Sequence, residues 1–239
     1  MVYDFLTLDD VEVSGKTVFL RADINSPLDP SSKRILDATR IQAVIPTVRA
    51  LKDAKLVIGA HQSRPGKYDF TNLESHSKVL QMYLERPVRY TNDIIGDEAQ
   101  RKIKELKTGE VLMLNNVRML EEENYRRPAE ELRDTELVKT LSKYMDIFVN
   151  DAFAAAHRSQ ASLVGLSTIV PMVAGRLMEQ ELKALNRVLN EPERPSVYLL
   201  GGAKVEDRIP VIDRVLRDDI ADSVLLGGLV ADCFQMARG

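Results

Sequence analysis

The sequence predicts an α/β protein: a doubly wound, Rossmann-like parallel sheet, then a long connecting helix and an incomplete second α/β domain. Short, continuous apolar runs alternate with stretches of helical periodicity, the pattern of parallel strands covered on both faces. Each apolar run stops abruptly at polar or glycine residues. The chain has 239 residues, of which 44% are hydrophobic and 29% charged, and this suits one or two globular domains.

The first strand is predicted at residues 17–22 and stops at Asp23 and Asn25. A helix should follow, capped by Asp37 or Thr39, because apolar residues recur at helical spacing from position 41 to 51. A second strand is predicted at 56–60. It leads into a polar segment that contains His61, Gln62, Ser63 and Arg64.

The next elements repeat this alternation. A short helix around residues 80–84, a weak strand at 88–90 and a helix at 99–106 precede a strand at 111–114 that ends in Asn115, Asn116 and Arg118. The acidic run 121–123 is interpreted as a solvated loop or helix start. A helix at 129–144 leads to a strand at 147–149, which delivers Asn150, Asp151, His157 and Arg158.

The domain prediction rests on the helix that follows. The pattern from about 173 to 190 is helical, and the proline-rich stretch 191–195 ends it. We predict domains at 1–172 and 192–239, joined by a helix at 173–191; a plain core helix is the alternative. The last segment holds only two predicted strands, too little for an independent core. We therefore expect either a truncated chain or a segment that leans on another surface.

Composition excludes several classes of function. A net charge of −3 gives no reason to expect a nucleic-acid partner. No apolar run reaches 18 residues and no basic-then-apolar leader is present, so neither a membrane span nor a signal peptide is predicted. Three histidines and one cysteine do not form a zinc pattern, and no metal ligands are predicted. The single cysteine is compatible with a cytoplasmic location, and the oligomeric state stays open.

Basic residues recur at the predicted strand ends. Guanidinium forks match carboxylate and phosphate oxygens two at a time, so their convergence on one sheet edge predicts a small, multiply anionic substrate. Nearby acceptors suit its hydroxyl groups. Taken singly, each arginine is as well explained by a surface ion pair. The basic candidates are Arg40, His61, Arg64, Arg118, His157 and Arg158, and the acceptors are Asp23 and Asn25.

A glycine turn stands between the next strand, at 196–200, and the helix after it. Glycines let backbone N–H groups approach phosphate oxygens, and a helix start favours negative charge. The turn, Gly201, Gly202, Ala203 and Lys204, lacks the spacing of a Walker loop. By itself it equally fits a tight turn with a surface lysine.

These segments together resemble the phosphoglycerate kinase family over the whole chain, most closely its archaeal branch. They stand in the family's order and at its spacing. The matching segments are Leu20-Arg-Ala-Asp-Ile-Asn-Ser-Pro27, Arg40-Ile41, His61-Gln-Ser-Arg-Pro-Gly66, Asn116-Val-Arg118, Asn150-Asp-Ala-Phe-Ala-Ala-Ala-His-Arg158 and Gly201-Gly-Ala-Lys-Val205.

The resemblance implies a glycolytic phosphotransferase that moves a phosphoryl group between 1,3-bisphosphoglycerate and Mg-ADP, giving 3-phosphoglycerate and Mg-ATP. It implies that the N-terminal domain binds the phosphoglycerate and that Arg40 lies nearest the transferring group. Residues 201–204 would contact the nucleotide phosphates, with Lys204 catalytic, and closure about the connecting helix would join the substrates. The implied substrate-binding residues are Asp23, Asn25, Arg40, His61, Gln62, Ser63, Arg64, Arg118, His157 and Arg158.

The sequence departs from the family pattern in some places. Arg208 stands where many relatives have lysine, so it receives no firm role, and Asn115 and Met119 are also atypical. Family chains are longer, and we therefore expect this chain alone to be inactive as a kinase. Two alternatives are a non-catalytic module that binds a phosphorylated carboxylic acid and a different α/β enzyme.

Overall fold

The computed structural model describes residues 5–239 and contains, in that part of the chain, one sheet of six strands and one of two. Residues 5–181 form one compact unit, and residues 182–239 belong to a second. The first four residues of the predicted first domain lie outside the described part. The domain limits at 172 and 191 stay a prediction.

The larger sheet is parallel throughout its five strand pairings. Its order is β3-β4-β2-β1-β5-β6, so the chain first builds outward from β1 on one side and then adds two strands on the other. This is the doubly wound topology that the apolar runs predicted. The strands are β1 Thr17–Ala22, β2 Lys55–Gly59, β3 Val88–Tyr90, β4 Val111–Met113, β5 Ile147–Asp151 and β6 Met172–Ala174.

Helices cover both faces of this sheet. Side chains alternate along a strand, so on β1 Val18 and Leu20 pack into one apolar cluster and Phe19 into another. The first cluster includes residues of α1, α2 and α3, and the second includes residues of α4, α5 and α6. These helices are α1 Thr39–Ala43, α2 Ile45–Ala50, α3 Glu74–Leu84, α4 Asp97–Lys104, α5 Ala129–Leu132 and α6 Glu136–Leu141.

Two predicted helices are broken in the structure. The helix expected across 41–51 divides at Val44, and Pro46, which has no N–H to donate, lies in the first turn of α2. The helix expected at 129–144 divides into α5 and α6. There Thr135 takes an extended backbone, and its hydroxyl donates to the carbonyl of Leu132 at 2.7 Å. Apolar periodicity continues across both breaks, which is why the sequence pattern did not reveal them.

The start of the predicted connecting helix was also wrong. Residues 172–174 form β6, which pairs in parallel with β5, and α7 then spans Arg176–Asn190. The fully buried carboxylate of Asp151 determines where α7 begins. It accepts hydrogen bonds from the backbone N–H of Met178 at 3.0 Å and the hydroxyl of Thr47 at 2.6 Å. A Cβ on Gly175 would lie 2.3 Å from this carboxylate, so only glycine fits there.

The unit at 182–239 is smaller and simpler. Its two strands, β7 Val197–Leu200 and β8 Ser223–Leu226, pair in parallel, and α8 Val205–Arg217 connects them. Helix α9, Gly228–Arg238, follows β8. A small cluster of Val215, Ile220 and Ala221 forms its buried core.

Candidate functional site

The predicted substrate-binding residues lie in the segments that follow four strands, at the carboxyl edge of the six-stranded sheet. Loops that leave β4, β2, β1 and β5 stand side by side there, because these four strands are neighbours. The chain reverses its winding direction between β1 and β5, the kind of crevice where open α/β sheets bind ligands. The pKa of His61 reflects how many basic side chains come together here. Burial first, and then the charges of Arg21, Arg118, Arg158 and Arg40, hold this pKa far below the ordinary value.

Asp23 and Arg40 form an ion pair on one side of the site. The Arg40 Nη1 atom donates to Asp23 Oδ2 at 2.7 Å, and the backbone N–H of Asn25 donates to the other carboxylate oxygen at 3.2 Å. Asp23 is buried, whereas about half of the Arg40 side chain is exposed, 48%. The carboxylate therefore anchors a guanidinium that still has free N–H groups at the surface.

The loops after β1 and β2 hold each other through side-chain amides. The Asn25 Oδ1 atom accepts the backbone N–H of Ser63 at 2.8 Å. Gln62 is fully buried, and its amide both accepts the N–H of Ser26 and donates to the carbonyl of Ser26, each at 2.9 Å. The side chain of Gln62 is therefore occupied by the scaffold. Ser63 is half-buried, and its hydroxyl donates to Asp69 at 2.5 Å.

Arg118 has buried hydrogen-bond donors that are unsatisfied among the described residues. Its Nη1 atom donates to the carbonyl of Ser63, but Nε and Nη2 are buried and have no partner among the described residues. Burial, followed by the charge of Arg158, lowers the pKa of Arg118 to about 10. Buried donors without partners are costly, and an anion bound between these loops would satisfy them.

The remaining basic residues lie nearer the surface. His157 is exposed and Arg158 is half-buried, with the Arg158 Nε atom 3.4 Å from His157 Nε2. A short 3₁₀ turn, Phe153–Ala155, carries the chain from β5 to this pair. Arg64 is exposed, and its side chain makes no hydrogen bond or ion pair within residues 5–239.

Beneath these residues lies a buried polar group that sequence reasoning missed. Arg21, in β1, is fully buried, with its Nη2 atom 3.9 Å from Glu123. The Arg21 Nε atom donates to the Ser162 hydroxyl at 2.7 Å, and Nη2 lies 3.2 Å from His61 Nδ1. The signal available in the sequence was an arginine inside an otherwise apolar strand.

Two acidic residues differ from expectation. Glu123 was predicted to be solvated, but it is fully buried at the end of a 3₁₀ turn, Glu121–Asn124. Burial raises its pKa, and the charge of Arg21 together with hydrogen bonds from Ser162 opposes that rise. Asp151 was predicted to be delivered to the sheet edge by the strand at 147–149 together with Asn150, His157 and Arg158, but its carboxylate is bound to Thr47 and the start of α7. In both cases a long-range partner, rather than local polarity, decides the environment.

The predicted glycine turn lies in the second unit. Gly202 has φ +108°, a conformation that favours glycine, and a Cβ on Gly201 would lie 3.1 Å from the carbonyl oxygen of Gly227. Ala203 and Lys204 are exposed, and Lys204 stands at the N-cap of α8. The Arg208 Nε atom lies 3.3 Å from the carbonyl of Gly201. This turn presents backbone at a helix N-terminus, as a phosphate requires.

Two further observations concern residues 5–239 alone. No helix in this range is long and apolar enough to cross a membrane. No group of three or more histidine, cysteine, aspartate or glutamate side chains is arranged to hold a metal ion in the same part of the chain.

Comparison with known proteins identifies the family. The phosphoglycerate kinase family model matches residues 8–239. The chain is 52% identical to phosphoglycerate kinase of Methanothermobacter thermautotrophicus, covering 99% of this chain and 58% of that protein. It is 50% identical to phosphoglycerate kinase of Pyrococcus horikoshii, covering 97% of this chain and 57% of that protein. This chain thus spans somewhat more than half the length of these relatives.

Solved structures agree with this result. The crystal structure of phosphoglycerate kinase from Pyrococcus horikoshii superposes with a TM-score of 0.90 at 50% identity, covering 98% of this chain and 58% of that one. The Coxiella burnetii phosphoglycerate kinase gives a TM-score of 0.81 at 32% identity, with 99% and 58% covered. The predicted closeness to the archaeal branch is confirmed. The chain belongs to the phosphoglycerate kinase family.

Proposed function

We propose that this chain provides the phosphoglycerate-binding domain and the first nucleotide-binding turn of a phosphoglycerate kinase. The enzyme would transfer a phosphoryl group between 1,3-bisphosphoglycerate and Mg-ADP, giving 3-phosphoglycerate and Mg-ATP. Because the chain spans 58% of the length of its relatives, we propose the complete reaction for the protein together with the segment that those relatives have in addition. A cytoplasmic location is part of the same proposal.

One observation carries the substrate assignment: two buried donors of Arg118 have no partner among the described residues, beside a neutral histidine and further arginines. Like charges gathered at a sheet edge oppose each other unless an anion is bound between them. A phosphorylated carboxylic acid presents anionic oxygens at both ends. It therefore suits a site with this many positive charges better than a singly charged ligand.

The proposed phosphoryl transfer requires stabilisation of negative charge and does not require a general base. In the direction of ATP consumption, the attacking group is a carboxylate, which is already a nucleophile. A transferring phosphoryl group spreads negative charge over its equatorial oxygens, and guanidinium groups stabilise that charge. Asp23 holds Arg40 at 2.7 Å, and this fixed orientation supports our choice of Arg40 as the group nearest the transferring phosphoryl.

The glycine turn fits a nucleotide phosphate. The positive φ of Gly202 and the absence of a side chain at Gly201 leave backbone exposed at the start of α8. We propose that residues 201–204 hold nucleotide phosphates, with the Lys204 ammonium as counter-charge, and that magnesium arrives with the nucleotide. Arg208 stays without an assigned role.

Calorimetric titration with 3-phosphoglycerate at low salt tests the proposal. We expect saturable binding by the chain and a loss of affinity of about tenfold or more in Arg158→Ala, because a charge-assisted hydrogen bond to the anion is removed. Arg49→Ala is the matched control, since Arg49 is an exposed arginine in α2, on the segment that leads to the amino end of β2.

The outcomes separate the alternatives. Equal weakening by both variants would mean that net charge alone attracts the ligand, and the assigned site would be wrong. No binding by a chain whose circular dichroism shows a cooperative melt would contradict the substrate assignment. Fusing to this chain the segment that a relative has in addition, and assaying turnover, distinguishes a kinase from the binding-only module, which would bind 3-phosphoglycerate and stay inactive.

A further inference from the structure

We propose that Glu123, acting through Arg21 and Ser162, holds His61 in the neutral tautomer that carries its proton on Nε2, and so makes His61 a permanent hydrogen-bond donor to the ligand. Glu123, Arg21 and Ser162 are then positioning residues, since they act through the imidazole. The hydrogen bond from His61 to the ligand rests on the proposed function. The tautomer itself does not.

The direction of the contact between Arg21 and His61 determines the tautomer. A guanidinium has five N–H donors, no acceptor, and stays protonated in proteins. The Arg21 Nη2 atom lies 3.2 Å from His61 Nδ1, so Nδ1 must be the acceptor and cannot carry a proton. A neutral imidazole then has its only proton on Nε2. That second nitrogen makes no hydrogen bond to any of the residues that the structure describes.

The contacts of Arg21 leave it no freedom to turn away. Its Nη1 atom donates to the carbonyl of Ala22 at 2.7 Å, and its Nε atom donates to the Ser162 hydroxyl at 2.7 Å. Since Nε cannot accept, the Ser162 proton must point to Glu123, to which Ser162 indeed donates. The backbone N–H of Ser162 donates to the other carboxylate oxygen at 2.9 Å. Each hydrogen bond in this network from Glu123 to His61 therefore has one permitted direction.

The surrounding charges favour the neutral ring. Arg21, Arg40, Arg118 and Arg158 all act on His61, from the segments after β4 and β5 as well as from β1 and α1. The acids among these elements, Asp23 and Glu123, act on Arg21, and each is in contact with an arginine. Adding a proton at Nδ1 would displace the Arg21 contact and place a further cation among four others.

This arrangement has a consequence for recognition. An ordinary histidine changes charge near pH 6.5, where the second ionisation of a phosphate also occurs. A neutral Nε2–H donor offers the same hydrogen bond on both sides of that pH. The ligand can then change its protonation state without His61 changing its own.

Nitrogen-15 labelling with a long-range proton–nitrogen correlation spectrum measures the tautomer directly. The protonated and the bare nitrogen of an imidazole have distinct shifts, and His61 is assigned by the signals that disappear in His61→Gln. We expect Nδ1 to be bare and Nε2 protonated from pH 8 to pH 5. Exposed His157 supplies the reference imidazole signal in the same spectrum. A proton on Nδ1, a tautomer mixture or an imidazolium at pH 7 would overturn the proposal.

The double variant Arg21→Met with Glu123→Gln tests the role of the network. It removes both buried charges together, so neither is left alone in the interior. We expect His61 to become a tautomer mixture, to acquire a titration step, and to lose about tenfold in affinity for 3-phosphoglycerate. His76, whose Nε2 atom lies 2.9 Å from Gln62, should keep its spectrum. An unchanged His61 tautomer in a folded double variant would contradict the proposal.

A milder variant covers the case of a double variant that does not fold. Ser162→Ala removes only the hydroxyl between Arg21 and Glu123. We expect a partial shift of His61 toward the tautomer mixture, and the absence of a shift would count against the network.

Failures of the two proposals are distinguishable. If His61 has the expected tautomer but 3-phosphoglycerate does not bind, the proposed function is wrong; if the ligand binds and Nδ1 carries the proton, only the present inference is wrong.

Discussion

Two polar regions of the molecule lie at the same sheet edge and differ in how their hydrogen bonds are used. The buried layer, Arg21, Glu123 and Ser162, directs its donors and acceptors at partners inside the fold. The basic rim, Arg40, Arg64 and Arg158, is exposed or half-buried and keeps N–H groups free. Charged groups inside the fold are therefore paired within the protein, whereas charged groups at the rim keep N–H donors available to a ligand.

Arg118 stands between the two regions. It is buried like the layer, 6% exposed, yet two of its nitrogens are unsatisfied within residues 5–239, as at the rim. The two regions should therefore respond differently to substitution. Substitutions in the layer should lower stability and, through His61, affinity as well, whereas substitutions at the rim and at Arg118 should lower mostly affinity.

The largest effect is expected from Glu123→Leu. It leaves the Arg21 cation fully buried without a counter-charge, and breaking a buried pair in this way costs about 3–5 kcal/mol of unfolding free energy. Urea denaturation monitored by circular dichroism measures it. Glu130→Leu, at an exposed glutamate of α5, is the matched control. A loss below about 1 kcal/mol in Glu123→Leu would show that the layer is not a structural unit.

A smaller effect is expected from pH acting on another buried group, His76. Burial lowers its pKa to about 4. Its Nδ1 atom is buried with no partner in the described chain, and its Nε2 atom faces Gln62. The folded state therefore binds fewer protons than the unfolded state. The contribution of neutral His76 to the free energy of unfolding is fully present above pH 6.5 and is lost as pH falls toward 4, by up to about 3 kcal/mol.

The variant His76→Gln isolates this contribution. Glutamine can still donate to Gln62 but does not titrate, so the variant should lose part of the pH dependence between 6.5 and 4. His61 remains in both proteins and contributes in the same direction, because its pKa is also lowered. Parallel stability curves for the two proteins over this interval would contradict the assignment.

The smallest effect on the free energy, and the sharpest test of the comparison, is Arg118→Lys. Lysine keeps the charge but lacks the planar fork. We expect affinity for 3-phosphoglycerate to fall about tenfold, or about 1.4 kcal/mol, with the urea midpoint nearly unchanged. Arg49→Lys in α2 is the control. If stability fell as much as affinity, Arg118 would belong to the buried layer instead.

Local pattern was enough to predict the architecture and to place the candidate residues at one edge of the sheet. Continuous apolar runs specified parallel strands covered on both faces, and parallel connections carry their polar ends to one edge. Asp23, His61, Arg118 and Arg158 could therefore be grouped from the sequence before any contact was known. The glycine turn before α8 was also predicted, because its residue types match its backbone requirements.

Only the tertiary structure decided which of these polar groups are partnered. The strand pattern marks Arg21 as buried but cannot indicate Glu123, which a distant segment supplies, and the acidic run around Glu123 has a composition typical of a surface loop. The same holds for Asp151, whose partners are Thr47 and the start of α7. Secondary structure follows from near neighbours along the chain. Hydrogen-bond satisfaction of a buried charge depends on atoms that folding brings together.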